Sequence, residues 1–234
     1  DNMDGLAAGI SAIAAFFFFI LAYQSQQWDL AMFSLILASA AAGFLKYNFS
    51  PASIFMGDLG SLFLGFSLAS IGILLQVTSL KSWAITGQFQ ILGDYQIITA
   101  LVPVLVLGLP IFDTTLVSVM RVLNGLAIST PGKDHASHRL ILFKGKIQRL
   151  LDKFVLEYIK ATGRRKVSQF GGLAALGHTR AVLVLYASTI CFGLAALMIT
   201  HLELAEAVLL LVMVVGLAVF AARKLGSVQV YKKK

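Results

Sequence analysis

Six apolar stretches, at about 5 to 23, 30 to 47, 59 to 79, 97 to 119, 181 to 199 and 204 to 222, recur along the chain. Each approaches the roughly 20 residues a helix needs to cross the hydrocarbon of a bilayer. In that medium a segment of this length satisfies its backbone polar groups by becoming a helix. The expected fold is therefore all-α, a polytopic integral membrane helix bundle of about six transmembrane helices. A soluble alternative would need six helices with almost no polar stripe, and would expose large apolar patches. Charged residues make up 13% of the chain and hydrophobic ones 58%, against roughly 25% charged in an ordinary soluble domain. Asp1 and Asp4 stand where a signal peptide would carry its basic region, so the first stretch reads as membrane structure.

The net charge of +8 is placed in a way that argues for a lipid bilayer, not nucleic acid, as the partner. With residue 1 in the cytoplasm, the outward connections at 24 to 29, 80 to 96 and 200 to 203 hold only Lys81. The connection at 120 to 180 holds twelve Lys or Arg and the tail from Arg223 to Lys234 holds five. This is the positive-inside pattern, with both ends of the chain cytoplasmic. Trp83, Phe89 and Tyr95 suit the opposite headgroup region. The single cysteine, Cys191, is expected to fill the core.

Residues 140 to 176 are the one soluble-looking piece. Ile147, Leu150, Leu151, Phe154, Val155 and Tyr158 recur at helical intervals, with Lys146, Arg149, Lys153 and Lys160 largely off that face. A basic amphipathic helix of this kind either lies on the anionic inner leaflet or packs against the bundle or a partner.

Four polar signatures interrupt the apolar pattern, all at one expected membrane face: Asp1-Asn2-Met3-Asp4-Gly5, Asn48 with Phe55-Met56-Gly57-Asp58-Leu59-Gly60-Ser61, Pro110-Ile111-Phe112-Asp113, and His135-Ala136-Ser137-His138-Arg139. Asp1 and Asp4 are three apart, so a helix beginning there would point both carboxylates the same way; an N-cap with a first-turn charge is the plainer reading. Asp58, between two glycines at the start of a span, suits a hard cation such as Mg²⁺, which takes one or two carboxylates and completes its shell with phosphate oxygens and water. His135 and His138 lack a third partner at zinc-ligand spacing. Beside Arg139 and Lys133 they fit phosphate better, because a guanidinium grips phosphoryl oxygens as a fork. Asp113 precedes Arg121 by eight residues, about 12 Å along a helix, too far for a direct ion pair. It either orients a His or Arg from the next loop or makes a polar contact within the bundle.

These stretches, in this order, resemble the later half of the polyprenyl-phosphate N-acetylhexosamine-1-phosphate transferases, the glycosyltransferase family 4 membrane proteins that include phospho-MurNAc-pentapeptide translocase. The similarity covers about 1 to 140 and resumes near Leu176 to Tyr186. It implies transfer of N-acetylhexosamine-1-phosphate from a UDP-sugar to undecaprenyl phosphate at the cytoplasmic face of a bacterial inner membrane, for cell-wall or surface polysaccharide synthesis. UMP is released, with Mg²⁺, or Mn²⁺ in its place. It also implies roles: Asp58 as metal ligand, Asp4 in reading uracil, Asn48 and Phe55 lining the nucleotide pocket, and Asp1 as an essential polar residue. His135, His138 and Arg139 would hold the diphosphate and donor sugar, with Asp113 and Lys133 in support. A homodimer is among the assemblies it allows. The separated histidines resemble the branch using simple UDP-N-acetylhexosamines such as UDP-N-acetylglucosamine more than the translocase branch.

The chain departs from that pattern in two places. No two aspartates adjoin, although the family carries a pair on an earlier cytoplasmic loop to position the lipid phosphate. The basic stretch after His138 is also longer than the resemblance implies. Residues 1 to 234 are therefore read as one membrane domain incomplete at its N-terminal side, with 140 to 176 inserted, and as having little or no transferase activity alone. A membrane transporter, or an inactive truncated remnant with a partner-binding basic loop, are the competing expectations.

Overall fold

The computed structural model describes residues 1–85, 101–129, 132, 134–142, 172–202 and 204–228. Among them all the regular structure is helical: α1 Leu6–Gln24, α2 Trp28–Asn48, α3 Gly57–Ile85, α4 Gly108–Leu123, α5 Ala136–Leu142, α6 Gly172–Ile199 and α7 Leu204–Gly226, with a short helical piece at 101–106. Five are long and apolar enough to cross a membrane: α1, α2, Gly57–Leu75 of α3, Gly177–Ile199 of α6 and Ala205–Gly226 of α7. The basic stretch from 143 to 171 lies outside the described residues, and with it most of the amphipathic segment expected at 140 to 176.

The apolar stretch from 97 to 119 carries Pro103 and Pro110, expected to break it, and the break falls at Leu107. Residues 101–106 are helical, Leu107 turns away with φ −89° and ψ 14°, and α4 begins afresh at Gly108. Pro110 explains the break, since proline has no N–H to give to the carbonyl four residues back and its ring crowds that carbonyl. In the first turn of α4 the missing donor is one the helix does not use.

α1 is the hub and packs against α2, α3 and α6. Its partner face on α2 is built of small residues, Ala31, Ser34, Ala38 and Ala41, at three and four residue intervals. Such a stripe lets two membrane helices approach closely. Ser34 is fully buried and returns its hydroxyl to the Leu30 carbonyl, 2.8 Å away, so no polar atom is stranded. α6 meets the bundle through aromatic rings laid on glycines. A Cβ at Gly9 would stand 2.0 Å from the Tyr186 hydroxyl oxygen, and one at Gly193 2.2 Å from the Phe17 ring. Phe18, Ile71 and Val106 close the centre.

The outward faces carry Met32, Phe66, Leu209 and Val212, more than 60% exposed, as lipid-facing positions do. Cys191 belongs to this outer surface, not to the core; a helix of near-uniform apolarity gives no sequence cue to which side faces lipid. α7 is the least embedded, with 6% of its membrane window buried.

Candidate functional site

Polar groups converge where α1 begins, α2 ends, α3 begins and α7 ends. Gly5 precedes α1 in the left-handed conformation, φ 76°, and residues 3–5 form a turn. Its N–H donates to Asn48 Oδ1 at 3.0 Å, and Asn48 Nδ2 donates to the Ile54 carbonyl at 3.0 Å. Asp4 Oδ2 accepts the Ala52 N–H at 3.0 Å. Both side chains thus staple the start of α1 to the loop after α2. Because the helix starts only at Leu6, Asp1 and Asp4 do not share a helical face: Asp1, exposed, lines the open cavity described below, and Asp4 bonds to the loop.

α4 carries Asp113 and Arg121 two turns apart, and consecutive residues of the following loop dock on them. Arg121 grips Asp134 as a bidentate fork, Nε to Oδ2 and Nη2 to Oδ1 both 2.7 Å, and its remaining nitrogen donates to the Ile128 carbonyl. Asp113 accepts from His135 Nδ1 at 2.7 Å and from the Ala136 N–H at 2.6 Å, so one carboxylate fixes the imidazole and caps α5. The Asp113 hydrogen bond raises the His135 pKa above 6.5; burial opposes it, the Asp113 and Asp134 charges add to it, and Arg121 lowers it.

Arg139 is fully buried. Nε donates to the Asp134 carbonyl at 2.8 Å, and Nη1 to the Leu225 and Val228 carbonyls, each 3.2 Å, at the end of α7. A cation here meets the negative end of the helix dipole.

A cavity of about 450 Å³ opens between these elements. Asp1, Asn2, Ser61, Asp113, Thr114, His135 and Ser137 form its polar part. Ile10, Ala14, Leu68, Leu107 and Leu185 form its apolar part. Asn2 Oδ1 accepts from the Ser137 hydroxyl at 3.0 Å, tying the first residues of the chain to α5. With Asp113 on Nδ1, Nε2 is the His135 nitrogen left for a ligand.

Of the residues singled out from sequence, Asp1, Asp113 and His135 line this cavity, whereas Asp4, Asn48, Phe55, Asp58, His138 and Arg139 do not. Asn48 is 2% exposed with both amide ends engaged, and Phe55 is 76% exposed on the loop. His138 is partly buried, its Nδ1 3.4 Å from the Ser137 hydroxyl. Lys133 lies outside the described residues. Asp58 is exposed in the first turn of α3, beyond Gly57 at φ 68°. By helical register residue 58 begins the stripe that continues as Ser61, Gly65 and Leu68 down the cavity wall, one turn before Ser61. Among the described residues no three His, Cys, Asp or Glu gather to cage a metal. A lone exposed carboxylate fits Mg²⁺ shared with phosphate oxygens and water, and not a protein-only cage. Sequence reasoning assigns no role to Asn2, Ser61 and Ser137, which stand inside the quoted signatures, and misses Thr114 and the fork between Arg121 and Asp134.

Residues 1–79 match the glycosyl transferase family 4 model. A protein of Bacillus subtilis (strain 168) named "Probable undecaprenyl-phosphate N-acetylglucosaminyl 1-phosphate transferase" is 39% identical over 143 residues, 61% of this chain and 36% of that protein. Proteins named phospho-N-acetylmuramoyl-pentapeptide-transferase are 50% identical over 74 residues in Bacillus pumilus (strain SAFR-032) and 44% identical over 77 in Clostridium botulinum (strain Eklund 17B / Type B). These matches cover 32% and 33% of this chain, and 23% and 24% of the relatives. Over part of its length, then, the chain is homologous to polyprenyl-phosphate sugar-1-phosphate transferases, and it spans between about a quarter and a third of the length of these relatives. No solved structure matches it.

Proposed function

We propose that this chain carries the nucleotide-sugar side of a membrane phosphoglycosyl transferase, which moves N-acetylhexosamine-1-phosphate from a UDP-sugar to undecaprenyl phosphate and releases UMP. The observation that carries the reading is the cavity at one end of an apolar bundle, part polar and part hydrocarbon, with Asp1 and His135 facing it. The partial match to a relative named for undecaprenyl phosphate and N-acetylglucosaminyl 1-phosphate supports it. The longer match to that relative favours a simple acetamido sugar over a pentapeptide donor. The excess of Lys and Arg on the 120 to 180 connection and the tail supports a cytoplasmic face for this end.

In this reading a phosphate oxygen of the lipid forms a bond to the sugar-bearing phosphorus, the bond from that phosphorus to the bridging oxygen breaks, and UMP departs with the electron pair. His135, holding its proton to higher pH than an ordinary histidine, places positive charge against the diphosphate. Asp113 holds that ring in place, while Asp1, Asn2 and Ser137 offer polar groups to the nucleotide and sugar. Asp4 and Asn48 keep the start of α1 against the loop that leads to Asp58. Asp58 would hold Mg²⁺, which when bound offsets the charge of phosphate oxygens. The sequence lacks the adjacent aspartates that the resemblance assigns to the lipid phosphate, so binding is the direct assay of this chain.

UMP binding should be measured by calorimetry on the chain in nanodiscs, with and without Mg²⁺. Binding that is strengthened by Mg²⁺ and loses that dependence in Asp58→Asn is expected. Absence of UMP binding, or uptake of a solute into proteoliposomes without nucleotide binding, overturns the reading.

A further inference from the structure

Among the described residues Arg139 is the largest fully buried side chain, and the hydrogen bonds given above for it run to backbone carbonyls. One of those carbonyls belongs to Asp134, the residue before His135, and the other two belong to Leu225 in the last turn of α7 and to Val228, two residues past its end. Burying a guanidinium is costly unless its N–H groups are bonded, so moving any of these three carbonyls out of reach of Arg139 is costly. Asp134 is held in turn by Arg121 through its side chain, and His135 by Asp113. Along its membrane window α7 is 6% buried, and its end packs through Leu225 and Ala222 on Leu116 and Ala136, with Gly226 against Met120, so Arg139 adds a polar tie where the helix is already seated on the His135 side.

We propose that Arg139 is a positioning residue that splices the end of α7 to the His135 loop, so that the last membrane helix sets where the cavity histidine sits. The inference rests on the functional reading above only in treating His135 as the working group. Arg139 acts through the Asp134 backbone and touches no ligand. A displacement of the α7 end by one carbonyl would pull the guanidinium, then Asp134, then the ring that faces the cavity.

The test is the ¹⁵N spectrum of the four histidines in the whole chain in nanodiscs, with His135 assigned by His135→Gln. Two variants act from opposite ends of the splice. Arg139→Met removes the guanidinium. Ser227→Pro removes the N–H that donates to the Arg223 carbonyl at 3.1 Å and so opens the last turn of α7. Both are expected to shift or broaden the His135 signals while leaving those of His201, at the far end of the bundle, in place. Should Arg139→Met fail to insert and fold, Ser227→Pro alone reads the coupling, since it leaves every side chain of the His135 loop intact. Unchanged His135 signals in either folded variant overturn the proposal. Loss of UMP binding in Arg139→Met with His135 signals unmoved also overturns it, by placing Arg139 on the ligand. If the unaltered chain binds no UMP, the transferase reading fails while the histidine spectra still decide the splice.

Discussion

Arg121 and Asp134 face each other through two parallel N–H···O contacts of 2.7 Å, with the carboxylate 1% exposed. Breaking such a buried pair from one side leaves an uncompensated charge, which costs about 3–5 kcal/mol. Asp134→Leu is expected to lower thermal stability in detergent by that order, and Arg121→Met combined with Asp134→Leu to recover most of the loss. A double variant as unstable as the single one would show that the pair's worth lies elsewhere than in mutual charge.

Stability should also depend on pH through His135. Its folded pKa is raised above 6.5, chiefly by the hydrogen bond to Asp113. The folded state therefore binds the proton more tightly than the unfolded chain, and the gain is fully present below about 6.5 and lost as pH rises through the folded value. Thermal midpoints measured from pH 6 to 9 should fall with rising pH, and the slope should flatten in Asp113→Asn. An identical slope in the variant would assign the effect to another group.

Gly9 is filled by its neighbour. A Cβ there would overlap the Tyr186 ring and hydroxyl at 2.0 to 2.4 Å, and that hydroxyl is tied to the Gly5 carbonyl. Overpacking of this kind costs about 1–3 kcal/mol. Gly9→Ala should destabilise the bundle by this amount in a denaturant or heat titration, and Tyr186→Ala introduced beside it should make the added methyl nearly harmless.

Asn48→Ala removes the acceptor of a buried N–H. Leaving such a donor unsatisfied costs about 1–3 kcal/mol, and here it also frees the loop from Asn48 to Gly57. Limited proteolysis should cut that loop faster in Asn48→Ala than in the parent. Equal rates would mean that the contact between Asp4 and Ala52 alone holds the loop.

The helices and their polar end were legible because apolar length is a property of contiguous sequence. Asp58 at the start of α3 was readable in the same way, from glycines on either side. What the sequence hid depends on partners far along the chain. Asn48 spends its amide on Gly5 and Ile54, and Arg139 its guanidinium on Leu225 and Val228, so residues that read as ligand groups are found inside the scaffold. The fork on Asp134 left no trace because Arg121 is separated from it by a loop whose course the spacing does not reveal. Pro103 and Pro110 were visible, but whether a membrane helix bends or restarts at a proline is decided by what packs around it, and here Phe192 lies against Gly108 just past the break.

Along α1 the cavity wall runs from Asp1 and Asn2 through Leu6, Ala7, Ile10 and Ser11 to Ala14. From Leu6 to Ala14 it descends about 12 Å at 1.5 Å per residue. Such a wall acts as a ruler for amphiphiles: a sugar alone leaves the lower part unwetted by anything that suits it, and a hydrocarbon alone leaves the upper carboxylate facing oil. Alkyl glycosides match both parts at once. An alkyl glycoside detergent is therefore expected to compete for this cavity, and UMP binding measured in maltoside micelles to be weaker than in nanodiscs.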